Sequence, residues 1–258
     1  MRSIYKKLKI RPELIIVFFL AFISGLFKDI LVFFLIILIH ELGHITSSLL
    51  YGWKIEKINF GICGGFICYS DKIDKPFKEE FLIAISGFLF QSLFYLFSFF
   101  LYKNSIIGIK QMVLIQKYHY SILIFNMLPI IPLDGSKIIN VLLNVFFPYK
   151  KSLKITSFIS FICIILVSFS FFIFKIKIEC SYIMIFCFLI KKIIKFYKDV
   201  PYLFNRFLFE RYSDPINSRK IKIIKGYHLN LLRRQKKHEF LIGKKHYKEN
   251  EILSKVFD

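Results

Sequence analysis

The strongest constraint on this chain is the recurrence of apolar stretches about as long as a bilayer is thick. A hydrocarbon core of about 30 Å takes roughly 20 residues of helix, fewer where the bilayer thins. Six spans can be read: a short one near Leu14–Phe27, then Ile30–Leu50 and Phe81–Leu101. The fourth starts near Gln111, breaks at Pro129 and Pro132 and resumes to Phe147; Thr156–Phe174 and Cys180–Tyr197 follow. Hydrophobic residues make up 56% of the chain and charged residues 21%, against roughly 45–50% and about 25% in a soluble domain. With apolar stretches too long for soluble cores as well, a wholly soluble globular protein is not expected, and the aliphatic and aromatic content excludes disorder. The five cysteines are few, odd in number and without a C-x-x-C pair, so a disulfide scaffold is excluded too. The expected fold class is an all-α integral membrane protein. It has about six transmembrane helices, a short β-hairpin or re-entrant segment, and a small α+β C-terminal module.

The net charge of +21 would suit nucleic acid, but its distribution points elsewhere. The basic residues lie between and after the apolar runs, as cytoplasmic Lys and Arg do in membrane proteins, so no nucleic-acid partner is expected. The N-terminal arm carries Arg2, Lys6, Lys7, Lys9 and Arg11, and the connection after the fourth span carries Lys150, Lys151 and Lys154. The alternate connections hold only Lys28, then Lys103 and Lys110, then Lys175 and Lys177. The richer side is cytoplasmic, which puts both termini inside a multi-pass cell-membrane protein. The basic start is followed by no small-residue cleavage site, so no cleaved signal peptide is expected. Residues 1–200 are read as the membrane-embedded domain and 201–258 as a small basic cytoplasmic module. In the module, Lys220–Lys225 and Glu239–Ile242 read as strands and Glu249–Phe257 as a helix, with His228, His238 and His246 solvated. Lys54–Phe60 and Phe66–Ser70, separated by Gly61, Gly64 and Gly65, read as β structure within the membrane-embedded domain.

The second span contains His40-Glu41-Leu42-Gly43-His44. Residues four apart share one face of a helix, so His40 and His44 can hold one Zn²⁺ at about 2.0–2.1 Å from each imidazole. Glu41 lies beside that face and can take a proton from a metal-bound water. Three ionisable groups inside an apolar span are costly and mark function. The competing readings are a buried polar network tying helices together and a proton relay in a transporter.

A catalytic zinc needs a third protein ligand, and the candidates are His119 and Asp134. Asp134 follows Pro129 and Pro132, which break the fourth span. Non-helical backbone at membrane depth is tolerated where it is buried or lines a wet cavity. Asp134 can also be an N-cap for a half-helix starting at Ser136, and His119 reads as a structural histidine. Asn126 can bind backbone groups freed by the prolines or hold substrate. Gly64 and Gly65 allow either a plain hairpin turn or pairing with a substrate strand by β-augmentation.

His40–His44 together with Asn126-Met127-Leu128-Pro129-Ile130-Ile131-Pro132-Leu133-Asp134-Gly135 resemble the two signatures of the site-2 proteases, intramembrane zinc metalloproteases. The likeness is greatest to the sporulation branch of that family, through Cys63–Phe66, Pro76–Phe81, Gly87 and Arg206–Tyr212. Phe88 and Ser136 depart from the residues the family commonly has there, and the module after Arg211 is short for a full CBS unit. The resemblance implies one zinc per chain held by His40, His44 and Asp134, with Glu41 activating the water. It implies Asn126, Pro132, Gly64 and Gly65 near the substrate. It further implies removal of the pro-sequence of a sporulation sigma factor, pro-sigma-K, at the mother-cell membrane around the forespore. Inhibitory membrane partners resembling stage IV sporulation protein FA and bypass-of-forespore protein A are implied as well. Nucleotide binding by a CBS-like module is implied by the family and opposed by the module's shortness. The other readings of the same motifs are a general protease that cuts an anti-sigma factor or remnant signal peptides, and a transporter or scaffold.

Overall fold

The computed structural model describes residues 8–10, 12–61, 64–69, 73–175, 180–216 and 221–257. Cys63 and Lys220 lie outside them. The chain divides into two compact units: residues 1–71 with 82–126, and residues 72–81 with 127–258.

The first unit contains β1 (Leu8–Ile10), α1 (Pro12–Ile23), α2 (Phe27–Leu50), β2 (Ile55–Gly61) and β3 (Gly64–Tyr69). It also contains most of α3 (Phe77–Lys103) and all of α4 (Ile109–Met127). The three strands form a sheet in the order β1-β2-β3, with β1 parallel to β2 and β3 antiparallel to it. The β2–β3 register pairs Gly61 with Gly64 and Phe60 with Gly65, which makes the expected hairpin a real one. Its core gathers Ile36 and Ile37 of α2 with Ile122 of α4, packed by Val32, Phe33, Phe94, Ile115 and Tyr118. Helices α2 and α3 touch backbone to backbone. A Cβ at Gly43 would lie 2.5 Å from the Ser86 carbonyl oxygen, so only glycine fits.

The second unit contains the first turn of α3, then α5 (Asp134–Phe146), α6 (Tyr149–Ile173) and α7 (Cys180–Ser213). After these come β4 (Ile221–Lys225), a 3₁₀ turn, β5 (Lys237–Ile242), β6 (Lys245–Lys248) and α8 (Glu249–Phe257). β4 pairs parallel with β5, and β6 antiparallel with β5. The boundary expected at 200/201 falls inside α7, which runs unbroken through Pro201. The core joins Tyr149 and Leu153 of α6, Val200, Phe204, Phe207 and Leu208 of α7, and Ile224, Leu232, Phe240, Ile252 and Leu253 of the module. β6 and the seven residues of α6 before Thr156 were not expected from the sequence, because neither is apolar enough to stand out. His238 is fully buried, not solvated: its backbone N–H donates to Glu249 at 3.0 Å and its ring lies 3.3 Å from the same carboxylate.

Among the described residues, three helices are long and apolar enough to cross a membrane: Phe27–Leu50, Phe77–Lys103 and Tyr149–Phe171. Their outer faces expose Leu93, Leu96, Phe97, Phe100, Ile165, Leu166 and Phe169. An apolar face of this extent belongs against lipid rather than water. The chain is a mostly helical membrane protein.

The link from α4 to α5 shows how the prolines are accommodated. Pro129 and Pro132 cannot donate, and the loop leaves the helical ladder. Ser160 of α6 repairs it: its hydroxyl accepts from Ile131 N–H at 3.2 Å and lies 3.0 Å from the Pro129 carbonyl, to which it can donate. Replacing Ser160 by Ala strands a buried backbone N–H, which costs about 1–3 kcal/mol. Thermal unfolding of the detergent-solubilised Ser160→Ala variant is expected to begin several degrees earlier. An unchanged profile would mean that Ile131 finds another acceptor.

Candidate metal centre

The H-E-x-x-H segment lies in the middle of α2, and the i,i+4 spacing puts both histidines on one face. Their side chains are nine-tenths buried or more: His40 is 2% exposed and His44 4%. The two Nε2 atoms lie 3.1 Å apart. Two nitrogens bound tetrahedrally to one zinc at about 2.0–2.1 Å would sit roughly 3.3 Å apart. The pair is therefore already spaced for a metal.

What holds each ring is on α3, and it also decides where the protons are. His44 Nδ1 is 2.7 Å from the carbonyl oxygen of Ile83. A carbonyl only accepts, so Nδ1 carries the proton and Nε2 presents a lone pair. For His40 the reasoning needs one more residue. Gln91 donates its amide N–H to the carbonyl oxygen of His119 at 2.8 Å, which turns its Oε1 toward His40 Nδ1 at 3.0 Å. His40 Nδ1 is then the donor, and its Nε2 also presents a lone pair. Both Nε2 atoms then face one point, where a cation can accept from them. The donor chemistry thus fits zinc, and the backing hydrogen bonds are of the kind that orient metal-binding histidines.

Gly87 completes the pocket wall. A Cβ there would lie 2.7 Å from His40 Nε2 and closer still to His44 Nε2. The glycine leaves the room in which an ion can sit. Phe88, where the family commonly has proline, packs its ring edge-on against His40 at 5.4 Å. Glu41 is half-buried on α2 between the two histidines.

His119 is buried on α4, stacked on Tyr95 with ring centroids 4.5 Å apart. Its backbone and Nδ1 both meet Gln91, so it supports the residue that orients His40. Gln91 was missed in the sequence; its one signal is a lone amide inside an apolar run. Asn126 lies in the last turn of α4 and donates to Ile122 at 3.1 Å, one helical turn back. Ser160 serves backbone freed by the prolines. Gly64 and Gly65 open β3, an edge strand of its sheet.

In the second unit, Leu133 is the N-cap of α5 and makes no side-chain cap bond, so Asp134 is the first helical residue rather than the cap. Its side chain is buried, and Oδ1 accepts from Lys137 Nζ at 2.7 Å. A carboxylate in the first turn also suits the positive end of the helix dipole. Gly135 is forced by crowding: a Cβ would lie 2.5 Å from the Leu128 carbonyl oxygen. Pro132 lies in the loop just before, after a cis peptide bond.

A membrane-length helix carrying H-E-x-x-H, with the Nε2 atoms of both imidazoles turned to one point, defines a membrane-embedded zinc metalloprotease. Known proteins agree. The chain is 31% identical over 265 residues to stage IV sporulation protein FB of Bacillus subtilis, covering 97% of this chain and 91% of that one. It is 32% identical over 128 residues to a zinc metalloprotease of Methanocaldococcus jannaschii, covering 48% of this chain and 37% of that one. Its fold matches the site-2 protease from Methanocaldococcus jannaschii with a TM-score of 0.54 at 23% identity, over 71% of this chain and 85% of that chain. No family model matches. The chain belongs to the site-2 protease family of intramembrane zinc metalloproteases.

Gly87 gives a direct test. Gly87→Ala places a methyl group against both Nε2 atoms. The variant is expected to remain folded and to purify with clearly less zinc per chain than wild type, because the methyl group fills the space at the ligand atoms. Zinc per chain, measured by elemental analysis, decides the matter.

Proposed function

We propose that this protease removes the pro-sequence of a sporulation sigma factor, pro-sigma-K, at the mother-cell membrane around the forespore, with both termini in the mother-cell cytoplasm. The observation that carries this reading is the match to stage IV sporulation protein FB along almost the whole chain, including the C-terminal module. Inhibitory partners resembling stage IV sporulation protein FA and bypass-of-forespore protein A belong to the same reading.

In the catalytic assignment, zinc is held by His40, His44 and Asp134, three buried residues that each offer one ligand atom. Bound there, zinc would supply a Lewis acid for the scissile carbonyl and a water acidified toward neutral pH. Glu41, next to His40 on the same helix, would be the base for the attacking water and the acid for the leaving amine. Gln91 and Ile83 accept at Nδ1 of His40 and His44 and so turn each Nε2 toward the ion. Gly64 and Gly65, on an edge strand, pair with an extended substrate segment by main-chain hydrogen bonds. Asn126 and Pro132 contact the same segment.

Two sets of variants separate the roles. Glu41→Gln is expected to keep one zinc per chain and lose cleavage, because the residue handles a proton and holds no metal. Asp134→Asn should fold, bind zinc weakly and lose activity. Full zinc and full cleavage in Asp134→Asn would remove it from the ligand set and turn attention to His119.

The substrate assignment is tested by co-expressing the protease with pro-sigma-K from the same organism and looking for the shortened product on a gel. Cleavage that depends on Glu41 supports it. An intact pro-sigma-K beside a processed anti-sigma factor or signal-peptide remnant would replace it with the general protease.

A further inference from the structure

Two of the blocks that carry the family likeness, Pro76–Phe81 and Arg206–Tyr212, have no part in the metal chemistry. Within the second unit, residues 73–80, which end in the first block, are bound by Glu210 and Arg211 of the second block and by Arg234 and Gln235 of the module. Arg211 of α7, 3% exposed, pairs with Asp74 at 2.8 Å and with Glu249 of the module at 3.1 Å. Its guanidinium also donates to the carbonyl oxygens of Arg233 at 2.7 Å and Lys236 at 2.8 Å. Glu210 of α7 accepts from the Ile73 N–H at 2.6 Å. From the module, Arg234, 5% exposed, forks onto both carboxylate oxygens of Glu80 and donates to the Lys75 carbonyl oxygen at 3.1 Å. Gln235 holds the same strap, donating its backbone N–H to Asp74 at 2.8 Å and its side-chain amide to Lys75 at 2.7 Å.

The strap 73–80 is thus fastened at several points, and its last residues are the first turn of α3. Glu80 is three residues before Ile83, less than one turn of the same helix. Ile83 supplies the carbonyl that holds His44, and Gln91, further along α3, supplies the amide that holds His40. Buried ion pairs give little net stability compared with apolar packing, so their presence is better explained by the geometry they impose. The bidentate fork of Arg234 on Glu80 sets both position and rotation of the helix start, which an ammonium could not do. We propose that Arg234, assisted by Arg211, is a positioning residue for the metal-binding histidines, acting through the first turn of α3 on the hydrogen bonds that orient His44 and His40.

This inference rests on the reading of His40 and His44 as metal ligands. The probe is Co²⁺, whose visible spectrum reports ligand geometry, titrated into the full-length protein in detergent. Wild type failing to bind Co²⁺ would overturn the metal reading itself. With wild type binding, Arg234→Met is expected to weaken Co²⁺ affinity about tenfold and to alter the spectrum, at the lower end of effects seen for groups behind metal ligands. Arg234→Met with Glu80→Gln removes the stranded carboxylate and should recover thermal stability while affinity stays weak. Arg234→Lys keeps the charge without the fork, and should fold and also bind more weakly. Lys150→Ala loses a bond to Asn230 on the same module and should bind Co²⁺ as wild type does. A change below about threefold in the folded Arg234 variants, small against the 10–100-fold typical of such groups, overturns the proposal. So does recovery of affinity in the double variant, or an equal loss in Lys150→Ala.

Discussion

The contact on which the site depends is the close approach of α2 and α3 at Gly43 and Ser86. With any larger residue at 43 the helices would stand apart by the width of a methyl group. Hydrogen-bond strength falls steeply with distance, so the His44–Ile83 bond at 2.7 Å and the His40–Gln91 bond at 3.0 Å would both be lost. Those bonds keep the rings still and the protons on Nδ1. The small residue inside the H-E-x-x-H pentad is therefore part of the metal site, although it offers no ligand atom. Gly87 makes the complementary contribution by leaving space at the Nε2 atoms.

The second constraint is that polar backbone in an apolar surrounding must find partners within the protein. The loop at Pro129–Leu133 is the clearest case. Ile130 and Leu133 close short backbone bonds within the loop, at 2.8 and 2.7 Å. Ser160 takes up what these leave. Other serine and threonine hydroxyls turn back onto their own helices, Thr156 to Ser152 and Ser98 to Phe94 among them. Gln91 differs in spending its amide between helices, and that is why it can transmit order from α4 to His40.

How far all this could be read from the sequence follows from the range of each interaction. The H-E-x-x-H face needs only helical spacing, and the long spans need only apolar length, so both are legible locally. The break before Asp134 is legible because proline acts on its own backbone. Its repair is not, because Ser160 is 28 residues or more away and looks like any other serine in an apolar run. The orienting bonds of Gln91 and Ile83 depend on which helix neighbours α2, and the Ile83 partner is a backbone atom with no sequence signal at all. In the module the error over His238 has the same origin: the residue is in a basic, polar stretch, yet Glu249 on α8 folds back to bury it. The two blocks Pro76–Phe81 and Arg206–Tyr212 were visible as likeness to a family, but the pairing of Arg211 with Asp74 and of Arg234 with Glu80 is a tertiary fact.

Helix α3 is held in two different ways along its length, and the difference has an electrostatic reason. At its start, Glu80 and the preceding Asp74 are fixed by arginines. Along its apolar body the fixing is done by a carbonyl and a neutral amide. A charge placed within an apolar span is costly and needs a partner. A neutral amide avoids that cost and still orients the ring. The arginines can be used where backbone carbonyls of Arg233, Lys236 and Lys75 are at hand to complete their donor shells. Ion pairs are thus confined to the end of the helix where polar backbone can satisfy them, and the positional order they create passes inward along a rigid, uncharged rod.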